Sequence, residues 1–243
     1  MSAARFRLGA WLFGVLAAGL AAGLMALGVW QLQRRAWKHD LVARVEARLH
    51  AAPVPAPTNC RTDDCEPYRR VVAEGVLRHD RETLVQAVTE AGAGFWVVTP
   101  LVGADGRAIL INRGFVPADR RDPASRAAGQ VAGPLRITGL IRSTEPGGAF
   151  LRTNDPAGGR WYSRDSAAIA AARDVTLAAP YFIDADATPN PGGLPLGGLT
   201  VVAFPDNHLV YALTWFALAA MVVGAAVYAL RDAARGRRRR GMP

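Results

Sequence analysis

The chain is 243 residues long, 51% hydrophobic and 20% charged, which excludes a disordered or collagen-like protein and sets the scale of one or two modest domains. Its formal net charge is +9, and of 29 basic side chains only Lys38 is a lysine. The excess is uneven: the section from Arg34 to Asp206 holds 21 basic and 19 acidic residues, and most of the remaining charge flanks two long uncharged stretches.

The first stretch, Leu8 to Trp30, has 23 residues without a charge. At about 1.5 Å per residue it is about 34 Å long, enough for a hydrocarbon core of about 30 Å. Arg5 and Arg7 precede it, as in a signal peptide. The apolar run is too long for one, however, and Arg34, Arg35 and Lys38 follow with no small-residue cleavage site. An uncleaved span over 8–32 is expected. Gly19/Gly23, like Ala220/Gly224 later, are small-xxx-small pairs that either let helices approach or arise by chance in an Ala/Gly-rich span. Trp37, Leu41, Val45 and Leu49 recur at spacings of four, so the helix should extend over 33–52 until Pro53, Pro55 and Pro57 end it. Its apolar edge should lie on the soluble domain.

Cys60 and Cys65 are the only cysteines. Asp63, Asp64 and Glu66 are near but no histidine is, so a disulfide is favoured over a metal site. Strand signals follow at 69–78, 82–88, 95–102, 108–116, 135–142, 181–184 and 199–203. Asp105-Gly106 marks a hairpin, His79-Asp80 a turn, and Gly139 a bulge or close approach. One helix, 165–173, has Ser163 or Asp165 as its cap. No internal repeat is present. Residues 66–204 are expected to form one antiparallel β-rich domain, a barrel or sandwich.

The second uncharged stretch, Leu209 to Leu230, predicts a span over 208–230, followed by a basic tail, 231–243. That tail has six Arg against one Asp, and it directly abuts a span, so orientation in a membrane explains it better than nucleic-acid binding. Both termini should then be cytoplasmic and the middle periplasmic, in a bacterial inner membrane. The fold class expected is an α+β membrane protein: two transmembrane helices flanking one extracytoplasmic β-rich domain with a short helix. Trp30, Tyr211 and Trp215 would sit near the outer membrane face.

Little points to catalysis. There is no G-x-S-x-G, P-loop or dinucleotide fingerprint, and none of the four histidines forms a zinc motif, so an enzyme is not expected. His39 and His50 lie among charges on the helical extension and should be at the surface. His208 stands apart. It shares a helical face with Tyr211 and Trp215, at i, i+3 and i+7, at a membrane boundary. Such an imidazole could ligate a haem iron beside two flat rings. An interfacial cap beside an ordinary aromatic belt satisfies the same spacing.

Four segments carry a family resemblance. Gly28–Lys38 (GVWQLQRRAWK), Ile111–Pro117 (INRGFVP), Tyr181–Asp184 (YFID) and Asn207–Phe216 (NHLVYALTWF) resemble, in order, the signature segments of the Surfeit locus protein 1 family. The resemblance implies an assembly factor for cytochrome c oxidase that binds haem a and presents it to the catalytic subunit. Its partners would be that subunit, other assembly factors and the lipid bilayer, with no nucleic acid. His208 falls at the family's proposed haem a ligand and Tyr211 at the neighbouring tyrosine. Trp215, Trp30 and Arg34 complete the candidate cofactor-binding set. Arg34 and Arg35 would meet propionates, or else lipid headgroups. A structural assembly factor that never touches haem is the alternative. A two-anchor sensor is disfavoured by the short tails. The cysteine pair lies outside the resemblance, so a copper role there has no support from it.

Overall fold

The structure is a computed structural model that describes residues 3–58, 60, 65–149, 151–202 and 204–239. The chain divides into two compact units: residues 1–43 with 203–243, and residues 44–202.

The first unit is helical. Helix α1, Ala3–His50, runs unbroken from one unit into the other. The late helix of this unit, His208–Arg239, is called α3 below. Both are long and apolar enough to cross a membrane. Their packing uses small residues at seven-residue intervals. Ala21 and Gly28 are buried on α1, and Ala212, Ala219 and Ala226 on α3. With lipid outside, close approach of two helices depends on van der Waals fit rather than on expulsion of water, and small side chains permit it. At Gly28 a Cβ would overlap the Phe216 ring. Gly19, Gly23 and Gly224 face open space, so the pairs singled out from the sequence are not the seam between these helices.

The second unit is a barrel. Its strands are β1 (Val54–Pro55), β2 (Arg70–Leu77), β3 (Thr83–Thr89), β4 (Gly92–Val102), β5 (Ala108–Pro117), β6 (Pro134–Ser143) and β9 (Leu177–Ala185). A small separate ribbon pairs β7 (Gly148–Ala149) with β8 (Arg152–Thr153). Helix α2, Ser166–Ala172, precedes β9, and the Asp165 carboxylate caps it by accepting from the Ala168 N–H. The main sheet order is β1-β2-β6-β9-β5-β4-β3, and β2 also pairs with β4 through Val76↔Val102 and Leu77↔Leu101. That pairing closes the ring β2-β6-β9-β5-β4. Most pairs are antiparallel, but β1 runs parallel to β2 and β5 parallel to β9.

Alternation along the strands makes two cores. Ile109, Ile111, Tyr181 and Ile183 join one cluster with Val71, Leu101 and Ile141. Leu110 and Phe182, from the opposite faces of the same strands, join Val85, Val98, Trp161 and the α2 residue Ile169. β5 and β9 are therefore buried on both faces, which explains their continuous apolar runs. Gly139 is a site of close approach, because a Cβ there would meet the Asp184 carbonyl. Cys60 and Cys65 form the disulfide, with Cα atoms 5.3 Å apart. Of the expected helical stripe, Val45 is buried and Leu41 and Leu49 are half-buried. Trp37 stays exposed, with the Arg34 guanidinium 4.0 Å from its ring centroid.

The expected strand at 199–203 does not form over 199–202; residue 203 lies outside the described residues. Pairing occurs earlier, where Leu196 exchanges two backbone hydrogen bonds with Phe115. Gly198, at φ +73°, then turns the chain away from the ladder, and the Thr200 hydroxyl donates to Asp184 instead.

Candidate functional site

The first unit concentrates polar groups at one corner, and α1 supplies them by periodicity. Gln31, Arg35 and His39 are four residues apart and share a face. Opposite them is the start of α3. Asp206 closes its first turn by accepting from the His208 N–H at 3.0 Å. A carboxylate near a helix N-terminus also complements the exposed amides there.

The Asp206 carboxylate is the centre of the corner. Its Oδ2 lies 2.8 Å from His39 Nε2 and accepts from Arg35 Nε at 3.2 Å. Lys38 Nζ donates to the Pro205 carbonyl. The hydrogen bond from His39, then that from the His208 backbone, then Arg35, lower the Asp206 carboxyl to about 2. Asp206 thus stays ionised across the physiological range and ties α3 to two successive turns of α1.

One turn back, His208 Nδ1 lies 2.7 Å from Gln31 Oε1. The amide oxygen only accepts, so the tautomer that makes this hydrogen bond is the one protonated at Nδ1. In the neutral ring that leaves Nε2 with its lone pair. No hydrogen bond from a described residue reaches Nε2. Tyr211 and Trp30 are exposed and Trp215 is half-buried. Their faces are available to lipid or to a flat ligand.

The structure therefore joins His208 to Gln31, the neighbour of Trp30, and sets Tyr211 and Trp215 on the histidine's face of α3. It commits Arg35 to Asp206 and lays Arg34 on Trp37. Arg34 has no carboxylate partner among the described residues. His39 is exposed yet holds Asp206, and His50 lies 3.6 Å from Glu46. Gln31 and Asp206 are the residues that sequence reasoning passed over. The four-residue spacing of Gln31, Arg35 and His39 was a usable signal; their partners were not.

No group of three or more His, Cys, Asp or Glu is assembled for a metal ion among the described residues. A single imidazole with Nε2 unengaged by any described residue could serve as the protein's ligand to a haem iron. The residues at this corner fit such a group.

The second unit also buries charge. Asn112 Nδ2 donates to Asp184 Oδ1 at 2.7 Å, and Arg142 and Arg164 each reach Asp184 at 3.2 Å. Arg164 also forks onto Glu145. Burial opposes ionisation of Glu145, but the Arg164 hydrogen bonds outweigh it and hold the carboxyl below its ordinary value. Asn112, Arg142, Arg164 and Asp184, with Trp96 and Thr200, line a cleft of about 460 Å³. Within the cluster Arg142 and Arg164 balance Asp184 and Glu145, as in a packing device of the barrel. A second cluster pairs Arg126 with Glu82 and places Arg113 on the Gly129 carbonyl. Burial lowers the Arg113 guanidinium to about 10, with Glu82 opposing and Arg126 adding to the shift. The INRG and YFID segments thus meet in the barrel wall, where Asn112 and Asp184 are in register.

The SURF1 family model matches residues 18–220. Surfeit locus protein 1 of Mus musculus is 39% identical over 217 residues, covering 83% of this chain and 70% of the mouse protein. The Homo sapiens protein of the same name is 38% identical over 211 residues, covering 80% of this chain and 69% of its own. A SURF1-like protein of Monosiga brevicollis is 40% identical over 219 residues, 84% of this chain and 82% of that one. With the barrel and part of each long apolar helix inside the match, the chain belongs to the SURF1 family.

Proposed function

We propose that the protein is an assembly factor for a haem-copper cytochrome c oxidase and that it carries haem a to the catalytic subunit. Family membership supports the first part. The second part rests on one observation: a histidine at the end of a long apolar helix whose Nδ1 is engaged and whose Nε2 receives no hydrogen bond from a described residue. His208 would hold the iron through Nε2. Tyr211, Trp215 and Trp30 would face the macrocycle, and Arg34 would meet a propionate. The group would supply only its own affinity for the target subunit; no covalent chemistry is asked of this chain. The protein's work is to bind, to orient and to keep an apolar cofactor out of water.

In this reading the basic flanks place both termini in the cytoplasm and the barrel outside an inner membrane. The His208 corner then lies at the outer membrane face. The test is genetic. Cells lacking the native copy are complemented with wild type or His208→Ala, and the haem a band of their membranes is measured. Restoration by wild type but not by the variant is expected. Equal restoration by a stably expressed variant would favour the alternative, a structural factor that holds an oxidase intermediate without haem.

A further inference from the structure

We infer that Gln31 is a positioning residue. It holds the His208 ring in the Nδ1–H tautomer, so that Nε2 is kept as the electron-pair donor of this corner. The purpose of that arrangement rests on the haem reading above, but the protonation pattern does not.

A neutral imidazole carries its proton on either nitrogen, and the hydrogen bond made by one nitrogen decides which. His208 Nδ1 lies 2.7 Å from an atom that can only accept, the Gln31 side-chain oxygen. A ligating imidazole is ordinarily held in this way by a partner on its other nitrogen, which fixes the ring and raises its basicity. Such partners are usually carboxylates or backbone carbonyls. Gln31, half-buried at the end of an apolar run, gives a neutral acceptor instead.

The rest of the corner keeps the two groups facing one another. Arg35 and His39, one and two turns beyond Gln31, both bind Asp206, and Asp206 in turn holds the His208 N–H. The backbone of His208 is thus fixed through Asp206 while its ring is fixed through Gln31. Both constraints come from one face of α1. Two turns of that face are occupied by the carboxylate and the next by the imidazole. A carboxylate in place of Gln31 would keep the acceptor, whereas an apolar residue would remove it.

The experiment uses the full chain in nanodiscs without haem, with histidine ring nitrogens labelled with ¹⁵N. Only four histidines are present, so the spectrum is simple, and His208→Ala identifies the signal of interest. Wild type should show a protonated Nδ1 and a bare Nε2 at neutral to mildly alkaline pH. Gln31→Leu should move the proton towards Nε2, and Gln31→Glu should keep the wild-type pattern. A wild-type ring protonated at Nε2, or a Gln31→Leu spectrum unchanged from wild type, would overturn the assignment. Should Gln31→Leu fail to fold, the wild-type and Gln31→Glu spectra decide it. Titration with haem a gives a second readout. Gln31→Leu should bind about 10–100-fold more weakly, with Gln31→Glu close to wild type. Equal binding by folded Gln31→Leu would refute the positioning role. A wild type with the expected tautomer and no haem binding would refute the carrier reading alone.

Discussion

Asn112 and Asp184 stand opposite one another on β5 and β9, joined by a 2.7 Å hydrogen bond in the only parallel pairing of the barrel ring among the described residues. Asp184 is 4% exposed and also receives Arg142, Arg164 and Thr200. Removing one partner from a buried ionic cluster leaves uncompensated charge and costs about 3–5 kcal/mol. Asp184→Ala should therefore lower the unfolding temperature by roughly 10 °C. A shift under about 2 °C in a thermal melt would show that water already solvates this cluster.

Gly28 is predicted to be the least tolerant small residue of the first span. A Cβ there overlaps the Phe216 ring, whereas Gly23 opens onto space. Gly28→Val should destabilise the detergent-solubilised protein by about 1–3 kcal/mol, as overpacking does. Gly23→Val should change stability by no more than about 0.5 kcal/mol. Adding Phe216→Ala to Gly28→Val should recover part of the loss. If Gly23→Val proves the more harmful change, the seam lies on another face.

The Asp206 clasp should fail in acid. Its folded carboxyl is held down at about 2, below the unfolded value of about 3.9, so its contribution is complete above about pH 4 and disappears as pH falls towards 2. Thermal melts of wild type and Asp206→Asn should differ at pH 6 and converge by about pH 2. A difference that does not depend on pH would mean that the carboxylate acts by shape alone.

The Cys60–Cys65 bond closes a short loop, with a sequence separation of 5. Loop-closure entropy for so short a ring gives about 2 kcal/mol. Reduction, or Cys60→Ser, should lower stability by about that amount. Alkylation followed by mass measurement should find both thiols blocked before reduction and free after it. Thiols that react without reductant would contradict the bond.

Much of this architecture could be read from residue order. Uncharged runs marked the two spans, β-branched segments between turn residues marked most of the β strands, and Asp105-Gly106 marked the β4–β5 hairpin. Two kinds of feature escaped. The helix seam did so because the spans hold many small residues, and the heptad Ala212–Ala219–Ala226 differs from Ala220/Gly224 only in which side faces α1. The partners of motif residues escaped because they lie far along the chain. Gln31 meets His208 and Asn112 meets Asp184 only after folding. At residues 199–202 propensity lost to tertiary structure, since Leu196 had already taken the Phe115 edge.

The carrier claim is tested most directly by the absorption spectrum of the protein purified from cells that make haem a. Wild type should carry bound haem a, and His208→Ala should lose it or show an altered iron ligation band. A haem-free wild type, or a His208→Ala spectrum identical to it in pigment and ligation, would contradict the account.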